Sequence, residues 1–257
     1  IRDIKRFWQR LRTLRLPPPA LLSMLYLVAI AVGSLLLMLP MSHNGNVGIS
    51  DAIFTSASAV TVTGLTVLDT GSEFTLFGQM VIAVLIQLGG LGLMTFAVLL
   101  LLALGIPIGM PQRVLLRENL NQSTTTSNLF VLSRLIIAIA IACEIVGTIA
   151  LSFVFMPEFG FWAGLWQSLF HSISAFNNAG IQLFPNGLAN WVGDPIVNIT
   201  IPALFIVGGL GFIVVGDIYQ KRAWKPLSLH SKLMLVGTGI LIVFGSVGFG
   251  LLEWSNP

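Results

Sequence analysis

The chain has 257 residues, 55% of them hydrophobic and only 9% charged, with a mean hydropathy of +0.91. A water-soluble domain carries roughly 25% charged residues, so the composition excludes one and points to a membrane protein. The formal charge is +3; the single cysteine, Cys143, excludes an internal disulfide or a cysteine-based zinc cluster, and His43, His171 and His230 lack the spacing of a zinc-protease helix.

Residues 1–19 are basic, with Ile1, Ile4, Phe7, Trp8, Leu11 and Leu14 at helical spacing. They read as a cytoplasmic interfacial segment under anionic headgroups, or equally as a basic tail. The first apolar run, 20–39, lies between Pro17, Pro18, Pro19 and Pro40, and is long enough for a retained span rather than a cleaved signal. Further spans are predicted over 76–104, 135–156, 196–216 and 233–252, the third ending at Pro157. Two apolar runs, 51–60 and 164–175, are too short to cross ~30 Å of hydrocarbon and read as re-entrant helices. The fold class predicted is an all-α polytopic membrane protein of repeated span, re-entrant helix and span units arranged pseudo-symmetrically around a central pore.

The charges sort by connection. Arg2, Lys5, Arg6, Arg10, Arg12 and Arg15 precede the first span, and Arg113, Arg117 and Arg134 lie between the second and third. Lys221, Arg222, Lys225 and Lys232 lie between the fourth and fifth, which accounts for every Lys and Arg. The other connections hold Asp51, Asp69, Glu73, Glu158, Asp194 and Glu253 without a cation. By the positive-inside rule the N-terminus is cytoplasmic, 105–134 and 217–232 are cytoplasmic linkers, and both short helices dip in from outside.

The chain repeats itself. Ser56 to Leu65 aligns without a gap on Ser172 to Ile181 at an offset of 116, and Gly89-Gly90-Leu91-Gly92 matches Gly208-Gly209-Leu210-Gly211 at an offset of 119. Two units follow, 20–104 and 135–216, and 233–257 reads as the first span of an incomplete third. Two spans per unit bring both copies in from the same side, related by an axis along the membrane normal. Inverted-repeat transporters need an odd number, which counts against that class.

Non-helical backbone at membrane depth must be buried in protein or face a water-filled cavity. Glycine at 64 or 180 permits positive φ and close backbone approach. Carbonyls of 61–65 and 176–181 can replace the hydration shell of a small cation, and the C-terminal end of each preceding helix favours positive charge. Candidate ion-binding residues, acting mainly through backbone, are Thr61, Val62, Thr63, Gly64, Asn177, Asn178, Ala179 and Gly180. Glu144, near mid-span, reads as a buried carboxyl hydrogen-bonded behind the pore, and His171, at the position of Thr55, as a hydrogen-bond donor behind the filter. The Gly-Gly-Leu-Gly knots read as places of close helix packing rather than ligand sites.

Thr61-Val62-Thr63-Gly64-Leu65, then Asp69-Thr70-Gly71-Ser72-Glu73-Phe74-Thr75, Gln87-Leu88-Gly89-Gly90-Leu91-Gly92 and Phe176-Asn177-Asn178-Ala179-Gly180 resemble the Ktr/Trk/HKT superfamily of cation-translocating subunits. The resemblance covers essentially the whole chain and is closest to the bacterial Ktr type. It implies potassium uptake through a pseudo-fourfold pore in the cell (plasma or inner) membrane. It also implies a homodimer on a cytosolic nucleotide-binding RCK-type (KtrA-like) ring, with K+ as the transported ion. Na+ as a coupling or activating ion stays open. The family has four repeats and this sequence reaches only the third, so it reads as part of a longer protein.

A sodium-conducting HKT-like transporter is the alternative; many such relatives carry serine at the first filter glycine, where this chain has Gly64. An intramembrane enzyme would need a nucleophile with a base or a carboxylate pair, and Glu144 is the one acid inside a predicted span. A scaffold subunit would not require two glycine-ended re-entrant loops.

Overall fold

The structure is a computed structural model that describes residues 18–92 and 126–253. The basic segment 1–17, the second half of the predicted span 76–104 and most of the linker 105–134 lie outside the described residues. Along the chain, the helices are α1 Pro18–Leu37, α2 Ile49–Val60, α3 Thr70–Glu73 and α4 Leu76–Gly90, then α5 Thr126–Phe159 and α6 Phe161–Phe176. A short 3-10 turn, Ala189–Trp191, precedes α7 Pro195–Gly209, α8 Phe212–Lys221 and α9 Leu229–Glu253. Among the described residues the strand content is one isolated bridge, His43 to Phe74. The protein is an all-α polytopic membrane protein.

Local chemistry places the helix starts. Thr75 Oγ1 accepts from Gly78 N at 3.3 Å, Asp69 Oδ1 from Gly71 N at 3.1 Å, and Asp194 Oδ1 from Ile196 N and Val197 N at 2.8 and 3.0 Å. These side chains satisfy amides that a first turn leaves without partners. At the start of α2, Asp51 Oδ2 accepts from Gly48 N at 3.2 Å. The predicted stop at Pro157 falls two residues early, because proline is still accommodated in the last turn of α5 and the helix runs to Phe159, just before Gly160, whose φ is +83°.

Within the ranges predicted as spans, 76–104 and 196–216, the helices break. Helix α4 ends at Gly90 and α7 at Gly209, each followed by a leucine and a glycine with φ of +77° (Gly92) and +82° (Gly211). Left-handed backbone stops an α-helix, and glycine takes it at the least cost. After Gly211 the chain turns by 91° into the next helix. Two described helices are long and apolar enough to cross a membrane, Ile136–Phe159 and Leu229–Leu252, or three if the bent pair forms one span.

Two bundles of three result: α1, α2 and α4 pack on one another, α5, α6 and α7 do the same, and α4 meets α6 between them. The core joining them contains Leu37, Ala59, Val60, Ile82 and Ile86 from one side and Phe170, Ala179, Ile181 and Leu183 from the other. Outward positions are apolar too: Leu27, Val146 and Phe153 are largely exposed, as lipid-facing residues are. Helix α9 packs on α8, and the connection between them is tied by Asp217, which accepts from Ser228 N (2.8 Å) and Ser231 Oγ (2.7 Å) and pairs with Lys221.

The predicted sidedness is testable by cysteine labelling with an impermeant reagent, with Cys143 replaced by serine. Ser42, in the first outer connection, is buried and donates to Leu36 O, so the exposed Asn46 is the better site there. Cysteines at Asn46 and Asn190 should react in intact cells, and one at the exposed Trp224 only after permeabilisation. The reverse pattern would invert the topology.

Candidate functional site: two glycine-ended loops

Both loops predicted from the repeat take the same path. Thr61 and Asn177 end their helices with φ/ψ of −87°/0° and −81°/1°. Val62 and Asn178 follow in the left-handed region at φ +55° and +58°, and Gly64 and Gly180 stand at φ +80° and +70°. The hydrogen bonds match in pairs. Thr61 N donates to Ala57 O (2.9 Å) as Asn177 N does to Ile173 O (3.1 Å). Val62 N reaches Ala59 O (3.2 Å) as Asn178 N reaches Ala175 O (3.0 Å). Thr63 N reaches Ser58 O (2.9 Å) as Ala179 N reaches Ser174 O (2.8 Å).

This pattern has an electrostatic consequence. The bonds engage the loops' N–H groups with carbonyls of the preceding helix, and the carbonyls of Thr61, Val62, Thr63, Asn177, Asn178 and Ala179 accept none of them. Left-handed φ at Val62 is notable, since a β-branched residue is held there only by its surroundings, at a cost of about 1–3 kcal/mol. Asn178 meets the same demand more easily, as asparagine tolerates this region.

The loops meet. A Cβ placed on Gly64 would fall on the carbonyl oxygen of Ala179 and lie 3.5 Å from Gly180 Cα. One placed on Gly180 would be 3.9 Å from Gly64 Cα. Two segments 116 residues apart therefore lie side by side at their glycines, and at Gly64 there is no room for a side chain.

Each loop is also backed by a glycine knot. A Cβ on Gly89 would collide with Val60 O, one on Gly208 with Phe176 O, and one on Gly90 with the Asn177 side chain. Gly89, Gly90 and Gly208 thus allow α4 and α7 to touch the ends of α2 and α6, whereas a Cβ on Gly209 would meet nothing closer than 3.8 Å, and the last glycine of each knot breaks the helix. The sequence reading as close-packing sites holds for the former and missed the break.

Serines pin the loop helices from behind. Ser56 Oγ donates to Ile30 O at 2.9 Å and Ser172 Oγ to Glu144 O at 2.8 Å, with Gly33 and Gly147 opposite them. These contacts were missed in the sequence, although a third offset, of 114 between Gly33 and Gly147, marks them. Glu144 is buried and accepts from Asn177 Nδ2 at 3.2 Å. His171 both donates and accepts: Nδ1 faces Gln167 O at 2.8 Å and Nε2 takes Leu183 N–H at 3.3 Å. The bond it accepts holds the segment beyond Gly180. Its ring stacks on Phe184 at 4.6 Å in a cluster with Phe155 and Trp191. Across the units, Trp166 Nε1 donates to Gln79 Oε1 at 2.7 Å.

The two loops lie in an all-α polytopic membrane protein, and comparison with known proteins gives its family. Residues 22–251 match the TrkH family, described as cation transport protein. The chain belongs to that family. It is 47% identical over 247 residues, 96% of its length, to Ktr system potassium uptake protein B of Bacillus subtilis (strain 168), and 41% over 93% of its length to the protein of the same name from Vibrio alginolyticus. It is 38% identical to potassium/sodium uptake protein NtpJ of Enterococcus hirae over 93% of its length. The chain spans about half the length of the curated relatives it matches, 55% and 53% for the two Ktr proteins and 53% for NtpJ.

The knot contacts give a direct prediction. Gly208→Ala pushes a methyl group against Phe176 O and should lower the amount of folded, membrane-inserted protein several-fold. Gly237→Ala in α9, where a Cβ meets nothing within 4 Å among the described residues, should leave that amount unchanged. Equal effects of the two changes would refute the backing role of the knot.

Proposed function

We propose that this chain forms part of a potassium-uptake protein of the Ktr type, in which the carbonyls of Thr61, Val62, Thr63, Asn177, Asn178 and Ala179 line the ion path and Gly64 and Gly180 let the two loops approach. The observation that carries this reading is the paired geometry of the loops: matched torsions, matched N–H bonds and adjacent glycines. Carbonyls not taken up by those bonds are suited to replace the hydration shell of a monovalent cation. The names of the relatives, potassium uptake proteins of a Ktr system, support K+ as the cargo.

The assignment has further parts. The chain spans the plasma or inner membrane with a cytoplasmic N-terminus, as a pair of pore units of a pseudo-fourfold ring. It works as a homodimer on an RCK-type cytosolic ring; relatives named as components of a Ktr system support a multi-subunit assembly. A second reading, conduction of sodium, draws support from the relative named a potassium/sodium uptake protein. Gly64 favours potassium, because a serine there would press on Ala179 O and displace it.

Serine substitution at each glycine tests this. Both positions have positive φ, but only Gly64 also collides with backbone, so Gly64→Ser should raise the rubidium KM and admit sodium more than Gly180→Ser does. A change of ~1.4 kcal/mol in the difference between two ions alters selectivity tenfold. Rubidium and sodium uptake, normalised to inserted protein, is the measurement. Unaltered affinity and selectivity in both variants would remove the glycines from the ion path.

A further inference from the structure

We propose that Gln87 and Glu144 are positioning residues for ion selection, acting through the side chain of Asn177 to fix the second loop against the first repeat. The inference rests on the reading of the two loops as the ion path and assigns a task to side chains that do not line it.

Asn177 is the last residue of the α6 turn and the first of its loop. Its Nδ2 has acceptors on three helices: Gln87 Oε1 of α4 at 2.9 Å, Glu144 Oε1 of α5 at 3.2 Å and Ile173 O of α6 itself at 2.9 Å. Asn177 and Glu144 are each only 7% exposed. Helix α4 shapes the rest of the pocket, since any Cβ on Gly90 would overlap the Asn177 amide. Polar side chains set among apolar helices are costly without partners, and here the Asn177 Nδ2 group bonds Glu144 of its own repeat and Gln87 of the other, while Asn177 Oδ1 is buried without a partner among the described residues.

The first repeat shows that the loop shape does not require this arrangement. Ser56 and Ser172 donate to Ile30 O and Glu144 O, which makes Ile30 the counterpart of Glu144. Thr61 is the counterpart of Asn177, and Ile206 stands at the repeat position of Gln87. The first loop nevertheless reaches the same torsions. There Thr61 Oγ1 bonds within its own unit, to Ala57 O at 2.7 Å and Thr63 Oγ1 at 2.6 Å. One loop is held by itself; the other is held from outside by both repeats. What the outside hold adds is the position of the second loop relative to the first, where Ala179 O meets Gly64. Ion selection depends on that spacing, because carbonyls that fit one dehydrated cation fit a smaller one less well.

The test uses the intact transporter in cells lacking other potassium uptake, with rubidium KM, rubidium-to-sodium discrimination, Vmax and inserted protein measured for each variant. Glu144→Ile and Gln87→Leu each remove one acceptor, and each should raise the rubidium KM and lower discrimination by about tenfold with inserted protein little changed. Glu144→Gln retains an acceptor and should stay within about twofold of the parent. Asn177→Thr combined with Glu144→Ile should be no worse than either alone, since both abolish the same link. Parent values of KM and discrimination in Glu144→Ile and Gln87→Leu, with only Vmax or protein amount reduced, would overturn the proposal. Failure of both variants to insert would overturn it too, by making the network a folding requirement. Gly180→Ser separates this inference from the one beneath it: if that change alters discrimination and the Glu144 and Gln87 changes do not, only the present inference falls. If Gly64→Ser and Gly180→Ser are both without effect as well, both fall.

Discussion

A polypeptide that leaves the helix inside an apolar body has to satisfy its backbone without water. Both loops of this protein solve the problem identically. They turn each of three successive N–H groups back onto the helix just ended, through a left-handed residue at Val62 or Asn178. The remaining architecture follows from that turn. The knots need glycine because Val60 O and Phe176 O lie against α4 and α7. The serines at 56 and 172 anchor the helices that deliver the loops, and Gly33 and Gly147 leave space for their hydroxyls.

Symmetry in backbone is combined with asymmetry in side chains. The two units share torsions and amide bonds, yet Val62 is held in a conformation that costs it energy while Asn178 adopts it readily. The segment beyond Gly180 is tied by Ser174 Oγ to Ile181 O at 2.6 Å and by His171 to Leu183 N, whereas the corresponding Ser58 Oγ is buried without a partner among the described residues. A duplicated unit can diverge in this way because the backbone pattern alone suffices to form the loop. Side chains are then free to specialise in fixing one loop relative to the other.

Much of this was legible in the sequence, for physical reasons. Ser56 to Leu65 and Ser172 to Ile181 align because the turn requires the same small and flexible residues at the same places, so the repeat revealed both loops and their glycines. The buried roles of Glu144 and His171 followed from polar groups set in apolar runs. The helix breaks after Gly90 and Gly209 were not legible, since Gly-Gly-Leu-Gly in an apolar run fits close packing as well as a left-handed stop. The link from Gln87 to Asn177 joins residues 90 apart in sequence, and a single sequence carries no signal for such a pairing. Gln87 was nonetheless detectable as an amide in an otherwise apolar part of α4.

The central claim is that cations pass along the carbonyl edges of these two loops. Crystals of the intact transporter soaked in rubidium, with anomalous diffraction recorded at the rubidium edge, test it most directly. The account predicts anomalous density beside the carbonyls of Thr61 to Thr63 and Asn177 to Ala179, near the meeting point of Gly64 and Gly180. Rubidium density confined to places away from both loops, with the loops in the conformation described, would contradict it.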